Sequence, residues 1–334
     1  MTAAKDQNVL VIGNIHPDAL QLLQEHGGLN ITLLTDPGAP IPVAQVEQSD
    51  AVLIRYGILT EAAIRDASRL RVVSRHGVGC DNLPVDALSK RGIPITIVGP
   101  VTAVSVAEQT ITMLLCLLKK AAAYDHAVRS GNWSIRESLG VSEIAGKTLL
   151  LLGFGRIGRE VARRARAFDM QVLIYDPQVS EESAKEASVV KTDDWHAMLG
   201  RIDVLSVHLP LTPATRNIID AEVLAAMKTT GILINAARGG LVDEAALVAA
   251  LTGHLAAGGA GIDTFAQEPP SADQPLLRLP NVVLSPHSAA LTAEAGRRMS
   301  MVAAANVIAG LQGELDPALV FNRDALRLQK HAAA

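Results

Sequence analysis

Short aliphatic and β-branched runs alternate with amphipathic stretches along the chain, the pattern of parallel strands joined by crossover helices. In the first hundred residues the runs are NVLVIG at 8–13, ITLLT at 31–35, AVLIR at 51–55, RVVSR at 71–75 and PITIV at 94–98. Between them, segments at 17–25 and 60–67 open on Pro17 and Thr60, both suited to helix starts. One open α/β sheet is expected. Gly99 and Pro100 punctuate the pattern and introduce a long helix over 104–129, followed by a loop around Trp133 where we place a hinge.

A second set of runs begins at Lys147 and covers 147–153, 171–176, 188–190, 203–208, 231–237, 259–265 and 281–285. These six or seven near-continuous apolar strands, with helices such as 159–168 between them, predict a second parallel sheet covered on both faces. A last helix over 292–311 has no strand set of its own. Such a helix needs a host, so it is expected to pack back on the first sheet.

The chain length of 334 suits about two domains, taking roughly 150 residues for each, with no room for a third, regulatory one. The composition is 49% hydrophobic, 19% charged and 3% aromatic. The core must therefore be aliphatic, and disorder and aromatic stacking platforms are excluded. A net charge of −4 gives no basic footprint for nucleic acid or an anionic membrane. The longest greasy stretch is 111–118. A membrane span needs roughly 20 residues, far more than this. The apolar run 9–12 is too short for a signal peptide core. Cys80 and Cys116 form no Cys-x-x-Cys pair, which fits a reducing cytoplasmic setting and argues against a structural zinc. A small-molecule partner and no metal are expected.

Gly153-Phe154-Gly155-Arg156-Ile157-Gly158 follows a strong strand and opens a helix. Gly153 allows the turn, Gly155 lets backbone approach a pyrophosphate at the positive helix end, and Gly158 allows close helix–strand packing. Asp176 stands beyond this loop at the end of the next strand, where a carboxylate accepts hydrogen bonds from an adenosine ribose diol. It would also repel a 2′-phosphate, and Pro177, Gln178 and Val179 supply no cation to capture one, so NAD is expected over NADP. Of the basic run from Arg156 to Arg166, only Arg156 lies in the loop; the others have the spacing of a solvated helix face.

Ligands of open α/β sheets sit outside the carboxyl ends of the strands. Three such ends carry Arg238, Glu268 and His287. Together they suit oxidation of a 2-hydroxy acid: Arg238 holds the carboxylate and polarises the C2 oxygen, His287 takes the hydroxyl proton, and Glu268 orients the imidazole.

Asn235-Ala-Ala-Arg238-Gly-Gly-Leu-Val-Asp243-Glu244, Asp263-Thr-Phe-Ala-Gln-Glu268-Pro and Ser285-Pro-His287-Ser-Ala-Ala resemble the three signatures of the D-isomer-specific 2-hydroxyacid dehydrogenases. The Ser74–Asn82 loop and the helix from Val104 through Glu108 and Gln109 are similar to that family's substrate loop and interdomain helix, so the likeness covers nearly the whole chain. The resemblance implies two Rossmann-like domains. One is an NAD-binding domain over 102–289; the other is a flavodoxin-like substrate domain made from 1–101 and 290–334. It implies further that Asp263 meets the nicotinamide carboxamide, that the Arg156 and Ile157 amides hold the pyrophosphate, and that His208, Ala236 and Ala237 flank the coenzyme. The Val78 and Gly79 amides would bind the substrate carboxylate as a backbone anion site. A homodimer through the long helix is also implied. Gln109, where many relatives have His, and Cys80, where a bulky residue is frequent, bear on substrate preference.

Within the family the RHGVGCDN loop and Arg55 look closest to the phosphoglycerate dehydrogenase branch. Arg55 and Arg75, with Arg136 after Trp133, would supply cations for a distal phosphate. Glyoxylate, hydroxypyruvate or a D-lactate-like acid stay open as alternatives. So does a non-catalytic, NAD-sensing module like the family's corepressors. Formate and phosphite oxidation fit less well, since phosphite relatives carry a Lys where this chain has Val78.

Overall fold

The computed structural model of the chain describes residues 6–36, 39–138 and 140–326. It forms two compact units, one built from the chain up to Thr102 and again from Thr292, the other from Ala103–Leu291. In the first, β1 (Gln7–Ile12), β2 (Leu29–Leu34), β3 (Ala51–Ile54), β4 (Val72–Arg75) and β5 (Ile95–Thr96) alternate with α1 (Pro17–Glu25), α2 (Val43–Glu47), α3 (Glu61–Ile64) and α4 (Val85–Lys90). All strands are parallel in the order β2-β1-β3-β4-β5, the flavodoxin-like arrangement. Successive side chains point to opposite faces. Leu10, Ile12, Val52, Ile54 and Val73 therefore enter one core and Val9, Val11, Ala51, Leu53 and Val72 the other. Burial on both faces is why these strands read as unbroken apolar runs.

The second unit begins with α5 (Ala103–Lys119) and α6 (Ala121–Arg129). The expected single helix is two, because Lys120 takes left-handed backbone with φ of 47°. The expected loop around Trp133 is a short 3-10 helix over Trp133–Ser138. Then follow β6 (Thr148–Leu152), α7 (Arg156–Ala167), β7 (Gln171–Tyr175), α8 (Glu181–Glu186), β8 (Val190–Lys191), β9 (Val204–Val207), α9 (Ala221–Ala226), β10 (Ile232–Asn235), α10 (Glu244–Thr252), β11 (Gly259–Ile262) and β12 (Val282–Leu284). The order β12-β11-β10-β9-β6-β7-β8 is that of a doubly wound dinucleotide-binding sheet, with its direction of winding reversing between β6 and β9. Leu149, Leu151, Ile174 and Ile234 pack with α5 and α7 on one face, while Leu150, Leu152, Leu205 and Leu233 pack with α9 and α10 on the other.

The chain returns to the first unit through α11 (Ala293–Gln312). Thr292 Oγ1 caps it on the Ala295 N–H, and Gly313 ends it at φ of 82°, a left-handed residue that suits glycine. Met299, Ala303, Ala304, Val307 and Leu311 enter the core beneath β1, β3 and β4. A methyl group on Gly310 would sit 2.7 Å from the Val72 side chain, so the helix backbone rests directly on that side chain at this point. Beyond it, the Ile97 N–H bonds to Leu319 O and the Phe321 N–H to Ile95 O, covering the β5 edge. Among the described residues no helix is long and apolar enough to cross a membrane.

Candidate active site and coenzyme cradle

The cradle forms where the winding of the second sheet reverses. Gly153 leaves β6 at φ of 95°, and a Cβ there would lie 2.6 Å from the carbonyl oxygen of His208, the first residue after β9. A Cβ on Gly158 would lie 2.4 Å from Gly153 O. Both close approaches are to backbone, so neither position tolerates a side chain. Gly155 differs: its Cβ direction is open for 4 Å, and it caps α7 without any side-chain acceptor on the first-turn amides. The helix begins at Arg156, earlier than the expected start at Arg159, which places the Arg156 and Ile157 N–H groups at its positive end.

Asp176 follows β7 directly. Its Oδ2 accepts the Phe154 N–H at 2.9 Å and its Oδ1 the Gln178 N–H at 2.9 Å, so it ties the glycine loop to the neighbouring strand end. A carboxylate has about four acceptor sites, leaving capacity for a diol. Among the basic residues of α7, Arg163 and Arg164 pair with Glu160, and Arg164 also reaches Glu108 on α5. His208 Nε2 lies 2.9 Å from Ser206 Oγ, while its Nδ1 is buried without a partner. Burial lowers the His208 pKa to about 4, so the ring is neutral at physiological pH. Open space at Gly155, an uncapped positive helix end and an unpartnered buried imidazole nitrogen at the same strand ends fit a bound dinucleotide.

The candidate acid–base groups lie at the ends of β10, β11 and β12. Asn235, buried at the end of β10, donates from Nδ2 to the Arg238 carbonyl at 2.9 Å and accepts the Ala237 N–H at 3.1 Å. This fixes the turn holding Ala236, Ala237 and Arg238. Arg238 Nη1 donates to Ala237 O at 2.7 Å. Next in sequence, Gly239 lies so close to the following loop that a Cβ would fall 1.9 Å from the Phe265 carbonyl carbon.

Asp263, 1% exposed, organises the loop after β12. Its carbonyl accepts the His287 N–H at 2.7 Å, and its carboxylate accepts the Ser288 N–H at 2.9 Å, the Ala289 N–H at 3.1 Å and the Ser285 hydroxyl. These contacts hold His287 at a φ of 49°. Left-handed backbone of this kind costs a non-glycine residue about 1–2 kcal/mol. Glu268 Oε1 accepts the Phe265 N–H at 3.0 Å, and its Oε2 meets His287 Nδ1 at 2.7 Å. Burial disfavours the Glu268 carboxylate. The hydrogen bonds from His287 and Phe265 and the charges of His287 and Arg238 outweigh it, leaving the carboxyl below its usual range. With Nδ1–H pointed at a carboxylate, Nε2 is the nitrogen left to exchange a proton. Arg238, Glu268 and His287 are thus brought together within one unit.

In the first unit, the turn after β4 carries Val78 and Gly79. Arg75 spans it from within: Nε donates to Gly79 O at 2.9 Å, and Nη1 to Arg55 O at 2.6 Å, Ile54 O at 3.2 Å and His76 O at 3.3 Å. Its guanidinium is engaged by carbonyls of this turn and of the end of β3, and Arg55 Nη1 is likewise on Asn14 O. Among the described residues the Val78 and Gly79 N–H groups have no acceptor. Cys80 is buried in the core of this unit and contributes packing. Sequence reasoning does not find the anchoring roles of Asn235, Ser285 and Arg75. Asn235 ends the buried β10 and Ser285 directly follows β12, positions where a short polar side chain meets the next loop's amides.

Among the described residues no cluster of His, Cys, Asp or Glu could hold a metal ion. The fold and cradle define a dinucleotide-binding α/β protein. The family model described as D-isomer specific 2-hydroxyacid dehydrogenase, NAD binding domain, matches residues 111–289. The chain is 37% identical over 310 residues to D-3-phosphoglycerate dehydrogenase of Methanocaldococcus jannaschii, covering 92% of this chain but 58% of that protein. To glyoxylate reductase of Aeropyrum pernix it is 37% identical over 344 residues, covering 98% and 99%. The solved structure of D-lactate dehydrogenase from Aquifex aeolicus, complexed with NAD and lactic acid, superposes with a TM-score of 0.82 at 30% identity, covering 92% and 96%. The chain therefore belongs to the D-isomer-specific 2-hydroxyacid dehydrogenase family, with the family's NAD-binding domain in its second unit. It spans somewhat more than half the length of the phosphoglycerate dehydrogenases it matches.

Proposed function

We propose that this protein is an NAD-dependent dehydrogenase interconverting a D-2-hydroxy acid and its 2-keto acid. The observation that carries the reading is the 2.7 Å Glu268–His287 pair, with the Arg238 charge acting on it, at strand ends of the cradle-bearing sheet. NAD, when bound, accepts the C2 hydrogen with its electron pair. His287 Nε2 takes the hydroxyl proton as the carbonyl forms and returns it in the opposite direction. Glu268 keeps the imidazole in the Nδ1–H form. Arg238 pairs with the substrate carboxylate and polarises the C2 oxygen. The Val78 and Gly79 N–H groups supply a backbone site for the carboxylate. Asp176 sets the preference for NAD, because a 2′-phosphate would meet its negative charge.

For the substrate two classes of acid stay in play. The phosphoglycerate dehydrogenase relatives favour a phosphorylated acid, with Arg55 and Arg75 as its cations. The engagement of Arg75 by carbonyls of residues 54, 55, 76 and 79 favours a small unphosphorylated acid such as glyoxylate, hydroxypyruvate or pyruvate. NADH oxidation with phosphohydroxypyruvate and these three keto acids is the test; a kcat/KM indifferent to the distal phosphate removes the phosphoglycerate reading. Tight NADH binding without turnover of any 2-keto acid would refute the enzyme and leave a sensor. We also propose a cytoplasmic homodimer, supported by two cysteines outside any disulfide and by exposed Val104, Val128 and Trp133 on and after the long helices, and checked by light scattering.

A further inference from the structure

The turn bearing Val78 and Gly79 is pinned on either side of its free amides. The His76 N–H bonds to Ile54 O at 2.9 Å, Gly77 O accepts the Val98 N–H at 3.1 Å, and Arg75 holds Gly79 O. One side chain in this turn points the other way. His76 is 5% exposed, and its Nε2 lies 2.8 Å from Ser300 Oγ on α11. The serine hydroxyl has one proton and two lone pairs. It donates to Gly296 O at 2.8 Å on its own helix and accepts the His16 N–H at 3.0 Å. The remaining lone pair faces His76, which makes Nε2 the protonated nitrogen of a neutral ring. Neutrality is enforced: burial, with the charges of Arg55 and Arg75, lowers the His76 pKa to about 4. A second contact runs parallel, Ser74 Oγ donating to Ala303 O at 2.9 Å one turn further along α11.

We propose that His76 is a positioning residue, its Nε2–H bolting the substrate turn to α11 through Ser300 so that the Val78 and Gly79 amides are fixed before the carboxylate arrives. Ser300 is the shared node, joining the His76 ring, the start of α1 through His16, and α11. Sequence places these residues far apart, at 16, 76 and 300, and nothing in their local patterns links them. A preorganised anion site binds without first ordering its backbone. The turn's function in binding substrate rests on the dehydrogenase reading above; its rigidity does not.

Both are tested together. His76→Leu and Ser300→Ala are expected to raise KM for the best keto acid about tenfold, with kcat within threefold and the NADH dissociation constant from fluorescence titration unchanged. His76→Gln, which keeps an N–H donor at the same reach, should restore KM to within about threefold of the parent. Since both variants break the same His76–Ser300 bond, the double variant should be no worse than the more affected single one. Independently of turnover, hydrogen exchange of the peptide spanning 75–82 should quicken about tenfold in His76→Leu and Ser300→Ala and recover in His76→Gln. An unchanged KM in both variants, an equal fall in kcat, or additive effects would overturn the proposal, as would unchanged exchange. Should the parent turn over no 2-keto acid, the dehydrogenase reading fails alone, and the exchange result still decides on His76.

Discussion

Replacing Gly239 by alanine puts a methyl carbon 1.9 Å from the Phe265 carbonyl carbon, 2.0 Å from its oxygen and 2.3 Å from the Ala266 nitrogen. Ordinary carbon contacts lie near ~3.5 Å, so the two loops must separate by about 1.5 Å. None of the three atoms belongs to a flexible side chain, so the strain cannot be relieved by a rotamer change. Either the Arg238 turn moves, or the Phe265–Glu268 loop does. In the second case the Phe265 N–H that holds Glu268 Oε1 at 3.0 Å moves with it, and His287 loses its orienting carboxylate. Overpacking costs about 1–3 kcal/mol, worth about 2–4 °C of Tm per kcal/mol in a unit of this size. A displacement of ~1 Å in a catalytic constellation costs about 100-fold in rate. Gly239→Ala should thus lose at least about 100-fold in kcat while still binding NADH, read by steady-state kinetics, fluorescence titration and thermal melting. The contrast is Gly155→Ala, where the added methyl meets nothing within 4 Å. That variant should melt like the parent yet bind NADH more weakly, because the methyl fills the approach to the helix end. A Gly239→Ala protein with parental kcat and Tm would refute the reasoning.

Glu268→Gln would set an amide N–H against His287 Nδ1–H or force the opposite tautomer, and kcat should fall about 100- to 10,000-fold, measured by NADH oxidation. Asp176→Ala should narrow the preference for NAD over NADP at least about tenfold by removing the charge that repels a 2′-phosphate, at roughly 1.4 kcal/mol per decade, as read from kcat/KM for both coenzymes. His208, with a folded pKa lowered to about 4 against 6.5, is neutral when folded and takes a proton when unfolded, so its stabilisation is complete above pH 6.5 and lost as pH falls toward 4. That loss approaches ~3 kcal/mol, and urea titrations at pH 7.5 and 4.5 should show a smaller pH difference for His208→Gln than for the parent.

Sequence legibility follows where each feature draws its energy. Strands β1, β3, β6 and β10 are buried on both faces, so burial writes itself into three or more consecutive aliphatic residues that no neighbour in space is needed to interpret. Helices α2 and α4 escape a reading by pattern because they are short and have no side-chain cap, so periodicity has no length over which to register. The break at Lys120 is set by left-handed backbone at a residue that carries no turn signal. At the candidate site the same division holds. A carboxylate and an imidazole at successive strand ends are readable as chemistry, and Glu268 and His287 do meet. Assigning Asp263 to the nicotinamide carboxamide leaves out that its carboxylate holds the amides around His287, since those partners are remote in sequence, at Ser288 and Ala289. Nor does the charge of Arg75 reveal its direction. An arginine at a strand end reads as a cation for a phosphate, but in this turn four carbonyls converge on it before any ligand does. A guanidinium's donors are spent on whichever acceptors the backbone brings within reach. The residue type therefore predicts that an anion or a carbonyl will be bound, and only the fold says which.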